Sequence, residues 1–452
     1  MVQQLEVVQQ LQSQRRKRGV ILSPRGWQRL QAAEQRLAEQ TNSGKPYTLE
    51  QLGELIDLSP NTITKVRRKR LAVDRQTLEL YFNALHLSLN TSDYISLDSD
   101  AIAQSLLRKP LQGQLSLDSS LYIDRPPIEQ QVCEEILQPG AFIRIRAPHQ
   151  FGKTSLMTRT LAWVRDKELP GTILSLHLAD SMVLANLDRF LRWFCAVITQ
   201  NLQIPNRVDD YWDTIFGSSY NCTRYFESYL LPEINAPLVL ALDGADVLFH
   251  YPEIASDFFG MLRAWYEKAR YGNSNIWQQL RLIVVYSNEI YLPLDFNQSP
   301  FNVGLSVELS AFTQEQVLDL VQRYGIGQAE IYAEQLTQLL GGNPYLTQLA
   351  LYHISTKEIA LEQLQQQAIA SDGIFSAHLR QQFAQLQLYP ELLAVLKIMT
   401  QSLEPIDLDP LFAFRLQSMG LIRVENFQGT ISCKLYQQYF ERALRLSVTS
   451  SA

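Results

Sequence analysis

Gly152-Lys153-Thr154 can do chemistry as a unit. A glycine lets the backbone approach a phosphate, a lysine reaches terminal phosphates, and a threonine hydroxyl at a helix N-terminus can hold magnesium. The three sit in the stretch Ala147-Pro148-His149-Gln150-Phe151-Gly152-Lys153-Thr154-Ser155. Its spacing fits the phosphate-binding loop GxxxxGK[ST], with Ala147 in the place of the first glycine, a position that borders the loop and need not touch phosphate. Downstream, the run PLVLALD ends in Asp243. An aspartate at the carboxyl end of a buried strand, beside such a loop, is placed to hold the metal. Ser287 and Asn288 end the next apolar run, LRLIVVYSN, where they could sense the terminal phosphate or the attacking water. The plainer readings are a common tripeptide in a loop, an aspartate that caps a turn, and polar residues that merely end a strand.

These residues need a sheet to gather them. The runs AFIRIRA, GTILSLHL, PLVLALD, LRLIVVYS and NVGLSVELS alternate with helical segments, which predicts a parallel sheet covered on both faces. The expected fold class is multidomain α/β. An all-α helix-turn-helix domain spans 14–94 and a linker 95–117. A P-loop NTPase core follows at 118–312, then a helical lid at 313–386 and a winged-helix domain at 387–447. In the first of these, Ser23-Pro24 opens a capped helix, and TLEQLGELIDLSPNTITKVRRKR reads as two short helices meeting across a tight turn. In the last, GLIRVENFQGTISCKLYQQYF reads as two strands around a turn at 426–429, followed by a helix.

The second helix of that pair, PNTITKVRRKR, buries Ile63 and Val66 and turns Asn61, Thr62, Thr64, Lys65, Arg68 and Lys69 outward. Polar groups near its start could read base edges of duplex DNA while the later cations meet phosphates. A solvated basic face on an adaptor that binds protein is the other reading. Charge agrees with either. The chain of 452 residues carries a net −6, yet residues 1–75 hold 14 Lys+Arg against 7 Asp+Glu. Only that head is suited to an anionic partner. No run approaches the roughly 18 apolar residues of a membrane span, and the first residues lack a signal-peptide core. Cys133, Cys195, Cys222 and Cys433 form no paired motif, so reduced thiols in a cytoplasmic protein are expected. The six histidines show no zinc-ligand spacing.

The stretch DSSLYIDRPPIEQQVCEEILQPGAFIRIRAPHQFGKTSLM resembles the opening of the AAA-like P-loop ATPases common in cyanobacteria, related to the STAND class of signalling ATPases. FNVGLSVELSAFTQEQVLDLVQRYG and GGNPYLTQLALYHI are similar to later segments of that family, and residues 14–94 to the helix-turn-helix of some members. The resemblance covers roughly 118–445. It implies ATP or ADP with Mg2+ in the loop, Arg125 near the nucleotide, and Pro344 touching it from the lid. A salt-bridged arginine and a helix-starting proline are the structural alternatives. Two departures stand out: His149 where arginine is expected, and Gly244 where a water-activating glutamate would follow Asp243. Asp246 and Glu289 are the alternatives for that role, neither at the expected spacing. ATP binding with slow or absent hydrolysis follows, and a Gly244→Glu exchange is expected to speed turnover. Arg263 and Arg270 are candidates for an arginine supplied to a second copy. The function expected is an ATP-dependent regulatory switch that binds DNA or a protein partner and can self-associate. Its rivals are a DNA-stimulated oligomerising ATPase acting in DNA remodelling or transposition, and a non-hydrolysing signalling or defence scaffold whose effector lies on another chain.

Overall fold

Prolines at 24 and 60 begin two helices of the N-terminal region, where a missing N–H costs nothing. The computed structural model describes residues 19–41, 47–56, 58–67, 73–85, 87–90, 93–96, 115–117, 119–272, 275–287, 302–356, 358–402 and 404–449. The chain divides into two units, 1–110 and 111–452.

In the first unit, strand β1 (Val20–Leu22) precedes α1 (Pro24–Thr41), and the Ser23 hydroxyl accepts from the Gly26 N–H at 3.0 Å. Helices α2 (Leu49–Ile56) and α3 (Pro60–Arg67) are joined by three residues. They close tightly because Gly53 has no side chain: a Cβ there would come within 2.8 Å of the Leu58 carbonyl oxygen. Leu52, Ile56, Ile63 and Val66 pack with Tyr81 and Phe82 of α4 (Arg75–Ala84) into one core. The unit is not all-α as expected. Strand β2 (Tyr94–Ser96) pairs antiparallel with β1, and Val20 also bridges Val73. Val20 and Leu22 are buried on one side of β1, a period of two in a segment too short to turn into helix before Pro24. Of the expected linker, residues 97–114 lie outside the described residues.

The second unit is built on α5 (Ile128–Ile136), β3 (Phe142–Ala147), α6 (Lys153–Arg165), β4 (Gly171–Ser175), α7 (Leu187–Asn201), α8 (Ser218–Tyr225), β5 (Leu238–Asp243), α9 (Pro252–Tyr271), β6 (Leu280–Ser287) and β7 (Leu305–Glu308). The five strands are all parallel, in the order β4-β5-β6-β3-β7. Alternation sorts their side chains. Leu238, Leu240, Leu242, Leu282, Val284 and Phe142 face α7, α8 and α9, whereas Val239, Ala241, Ile283, Val285, Ile143 and Ile145 face α5 and α6. The same parity puts Ala147, Asp243 and Ser287 on the α6 side at the carboxyl ends of three neighbouring strands.

Helices α10 (Gln314–Arg323), α11 (Ala329–Leu340), α12 (Pro344–Ser355), α13 (Leu361–Gln366) and α14 (Ser376–Gln387) follow, the first closed by a capping box between Thr313 and Gln316. The chain ends with α15 (Pro390–Gln401), β8 (Ile406–Asp407), α16 (Pro410–Ser418), β9 (Ile422–Glu425), β10 (Gln428–Ile431) and α17 (Lys434–Thr449). Its three strands form an antiparallel sheet in the order β8-β10-β9. The turn is shorter than expected: only Asn426 and Phe427, at φ 51° and 66°, and Gly429 already pairs with Val424. Two left-handed residues match the twist of a hairpin, and asparagine tolerates that conformation. Among the described residues, no helix is long and apolar enough to cross a membrane.

Candidate functional site

β3 delivers the chain to the stretch 147–152, and α6 leaves from it. Gln150 (φ 65°) and Gly152 (φ 91°) are left-handed, which curls the backbone between strand and helix. Lys153 is buried, and its Nζ donates to the carbonyls of Ala147 (3.0 Å) and Pro148 (2.9 Å) and to the Ser287 hydroxyl (3.0 Å). Thr154 Oγ1 donates to both carboxylate oxygens of Asp243, each at 3.3 Å. Burial raises the Asp243 pKa, opposed by the Thr154 hydrogen bond and by the neighbouring His177 and Lys153. A hydroxyl and a carboxylate at this separation are a hard-oxygen pair of the kind Mg2+ accepts when phosphates and water complete its shell. Among the described residues no group of three His, Cys, Asp or Glu could hold a metal ion.

The loop opens into a cleft of about 440 Å³. Arg125, His149, Gln150, Gly152, Lys153, Thr154, Ser155, Asp243, Asp246, Ser287 and Pro344 all line it, so the fold brings most of the sequence candidates to one place. Arg125 is buried, with a guanidinium nitrogen 2.9 Å from the Phe151 carbonyl oxygen and its plane 4.8 Å above the Phe312 ring. It braces the loop from outside; no carboxylate pairs with its guanidinium among the described residues. Ala147 and Pro148 contribute carbonyls, and the Phe151 side chain belongs to the core beneath α6. Pro344 starts α12, with the Asn343 side chain accepting from the Leu346 N–H, and also lines the cleft; its two readings are geometrically compatible. Burial, then Lys153, lowers the His149 pKa, which keeps that ring neutral.

Other candidates are placed differently. Asp246 accepts from the Ser287 N–H at 2.8 Å and so fastens the end of β6. Asn288 and Glu289 lie outside the described residues, as do Arg68 and Lys69. Arg263 pairs with Glu267 at 2.8 Å and Arg270 with Glu135 at 3.5 Å; neither lines the cleft. On α3, Lys65 is exposed and Thr62 and Thr64 are half-buried; the Asn61 side chain is outside the described residues.

The sequence reading missed three features. Tyr122, Ile123, Phe312 and Tyr345 give the cleft an apolar wall, suited to a planar base. The loop is tied to distant helices: Gln150 Oε1 lies 3.0 Å from His378 Nδ1 on α14, and His378 Nε2 lies 2.7 Å from the Tyr436 hydroxyl on α17. Gly420, before β9, is close-packed on Pro148 and Phe151. Finally, Gly244 is left-handed (φ 73°), and a Cβ there would overlap the His177 ring. The expectation that a glutamate at 244 would complete the site therefore meets a backbone that disfavours side chains and a space already filled. His177 follows β4, and the rule that ligands gather at carboxyl ends of parallel strands could have found it.

No curated protein matches the sequence. Among solved structures, a Walker-type ATPase of Pyrococcus abyssi has the same fold, with TM-score 0.51, 13% identity, and coverage of 74% of this chain and 99% of that one. Weaker similarities include Cdc6p from Pyrobaculum aerophilum (TM-score 0.38, 13% identity, covering 77% and 98%). A STAND protein with a tetratricopeptide repeat sensor from Pyrococcus horikoshii is also among them (TM-score 0.32, 13% identity, 74% and 44%). The AAA-like domain family matches residues 110–442, most of the chain, and the protein belongs to that family.

Proposed function

We propose that this protein is an ATP-binding regulatory switch of slow turnover. The observation that carries the reading is the convergence of Lys153, Thr154 and Asp243 on one cleft at the carboxyl ends of β3, β5 and β6. In it Lys153 exchanges loop carbonyls for phosphate oxygens, and Thr154 and Asp243 hold Mg2+, which would supply charge neutralisation at the phosphates. The apolar wall takes the base. The switch element is the C-terminal region, which reaches the loop through His378 of the segment read as the lid and through Tyr436 and Gly420 of the segment read as a winged helix. Nucleotide that alters the loop at Pro148 or Gln150 favours one arrangement of that region over another, and only such differential binding can drive a switch.

The N-terminal unit is read as a helix-turn-helix that presents a basic helix to DNA or to a protein partner. The tight turn between α2 and α3 and the exposed Lys65 support it. Two experiments test the whole. Nucleotide extracted from the purified protein should be ATP or ADP, retained with Mg2+ and lost in Lys153→Met; a nucleotide-free wild type that binds neither would end the reading. Affinity of the full chain for duplex DNA should fall with salt, and Lys65→Glu should lower the log-log slope by about one unit or more. A salt-independent interaction, untouched by that exchange, would assign the unit to protein partners.

A further inference from the structure

On the nucleotide site proposed above, the water that attacks the terminal phosphate would be held at the rim of the cleft beside Asp243, where most of the described polar groups already make a hydrogen bond within the protein. Asp243 already accepts from Thr154, the Ser287 hydroxyl from Lys153, and Asp246 from the Ser287 N–H. Gln150 is engaged by His378, and Gln348 donates to the Leu121 carbonyl. His177 differs from all of these. It lines the cleft, the residue is exposed, and it makes no hydrogen bond among the described residues.

Its position is enforced. The chain leaves β4 through one turn of 3-10 helix, Leu176–Leu178, in which Leu176 is buried in the core and His177 is turned toward the end of β5. There the ring lies over Gly244, in the space a side chain at 244 would need, with Nε2 and Cδ2 nearest. Residue 244 directly follows the carboxylate proposed to hold the metal, so a group above it would face the terminal phosphate of a nucleotide bound there. Gly244 and His177 thus form one device: the first vacates a volume and the second fills it with an imidazole.

Resting on the nucleotide site proposed above, we propose that His177 is a catalytic residue, holding and orienting the attacking water through a ring nitrogen that accepts its hydrogen bond. In the step it serves, the water oxygen bonds to the γ-phosphorus. The bond from that phosphorus to the bridging oxygen breaks, its electron pair leaving on ADP, and the water proton passes to the released phosphate. An imidazole on a one-turn support, with no hydrogen bond to fix its own orientation among the described residues, suits slow rather than fast turnover.

Full-length wild type, His177→Ala, His177→Gln and Gly244→Ala distinguish the outcomes. His177→Ala should lower kcat by about a hundredfold with KM and the affinity for a non-hydrolysable ATP analogue unchanged. His177→Gln, which keeps a hydrogen-bonding atom, should retain part of the rate, and added imidazole should restore part of it to His177→Ala. Gly244→Ala, by displacing the ring, should lose turnover as His177→Ala does. A readout independent of turnover is retention of ADP with aluminium fluoride, which requires a positioned water: wild type should trap it and His177→Ala should not, though both bind ADP. A wild type that binds the analogue but shows no turnover, or an undiminished rate in His177→Ala, overturns the role of His177 alone. A wild type that binds no nucleotide overturns both this role and the site itself.

Discussion

The two faces of the five-stranded sheet are built from different side chains. Toward α7, α8 and α9 the core is aromatic: Phe190, Phe194, Phe226, Phe258, Trp265 and Trp277 interlock, with Phe190 and Phe194 edge-on to Phe258 at 5.0 and 5.2 Å. Toward α5 and α6 it is aliphatic and small, with Val239, Ala241, Val285 and Ile145 under Leu156, Leu161 and Val164. The aromatic face holds the sheet; the small face lets α6 lie close, so that its first turn meets the strand ends. Ala147, Asp243 and Ser287, the strand-end residues that meet Lys153 and Thr154, all have the parity of the small face. Bulk and chemistry are thus separated across one layer of backbone.

That separation can be attacked from either side. The largest expected effect is on the aromatic side: Phe258→Ala should cost about 3–5 kcal/mol of stability, measured by denaturant unfolding, while the surviving folded protein keeps its nucleotide affinity. On the other side, His378 clamps the loop, and burial lowers its pKa from 6.5 to about 4. A folded pKa below the unfolded one means the neutral ring is favoured by folding. Its contribution is complete above about pH 6.5 and is lost as pH falls toward 4, by up to about 3 kcal/mol. Unfolding measured across that window should flatten in His378→Asn. Third, Ala241→Leu should overpack the small face by about 1–3 kcal/mol and also weaken nucleotide binding, because α6 is pushed off the strand ends. A stability loss with unchanged affinity would break the proposed link between packing and site. The smallest effect on stability, below about 1 kcal/mol, is expected for Thr154→Ala, which should nevertheless abolish the Mg2+ dependence of nucleotide affinity measured by titration.

The sheet and its loop were legible because strands that are buried on both faces leave unbroken apolar runs, and GKT follows one of them directly. Asp243 could be found for the same reason. What stayed hidden depends on distance. His378 and Tyr436 lie 228 and 286 positions beyond Gln150 in number, and no local pattern announces that they meet at the phosphate loop. Gly244 was readable as a gap but not as a left-handed residue beneath a histidine. The pairing of β1 with β2 was missed because each is three residues long, too short to show alternation against its surroundings.

Gln150 answers two masters. Its backbone sits in a region that costs a side-chain-bearing residue about 1–2 kcal/mol, where glycine would be at ease. Its amide alone spans from the loop to His378. A glycine at 150 would relax the loop and sever its line to the C-terminal helices, whereas glutamine accepts local discomfort in return for long-range hearing. Variation at this one position could therefore tune how much of the nucleotide's state the rest of the molecule learns, while leaving Lys153, Thr154 and Asp243 in place.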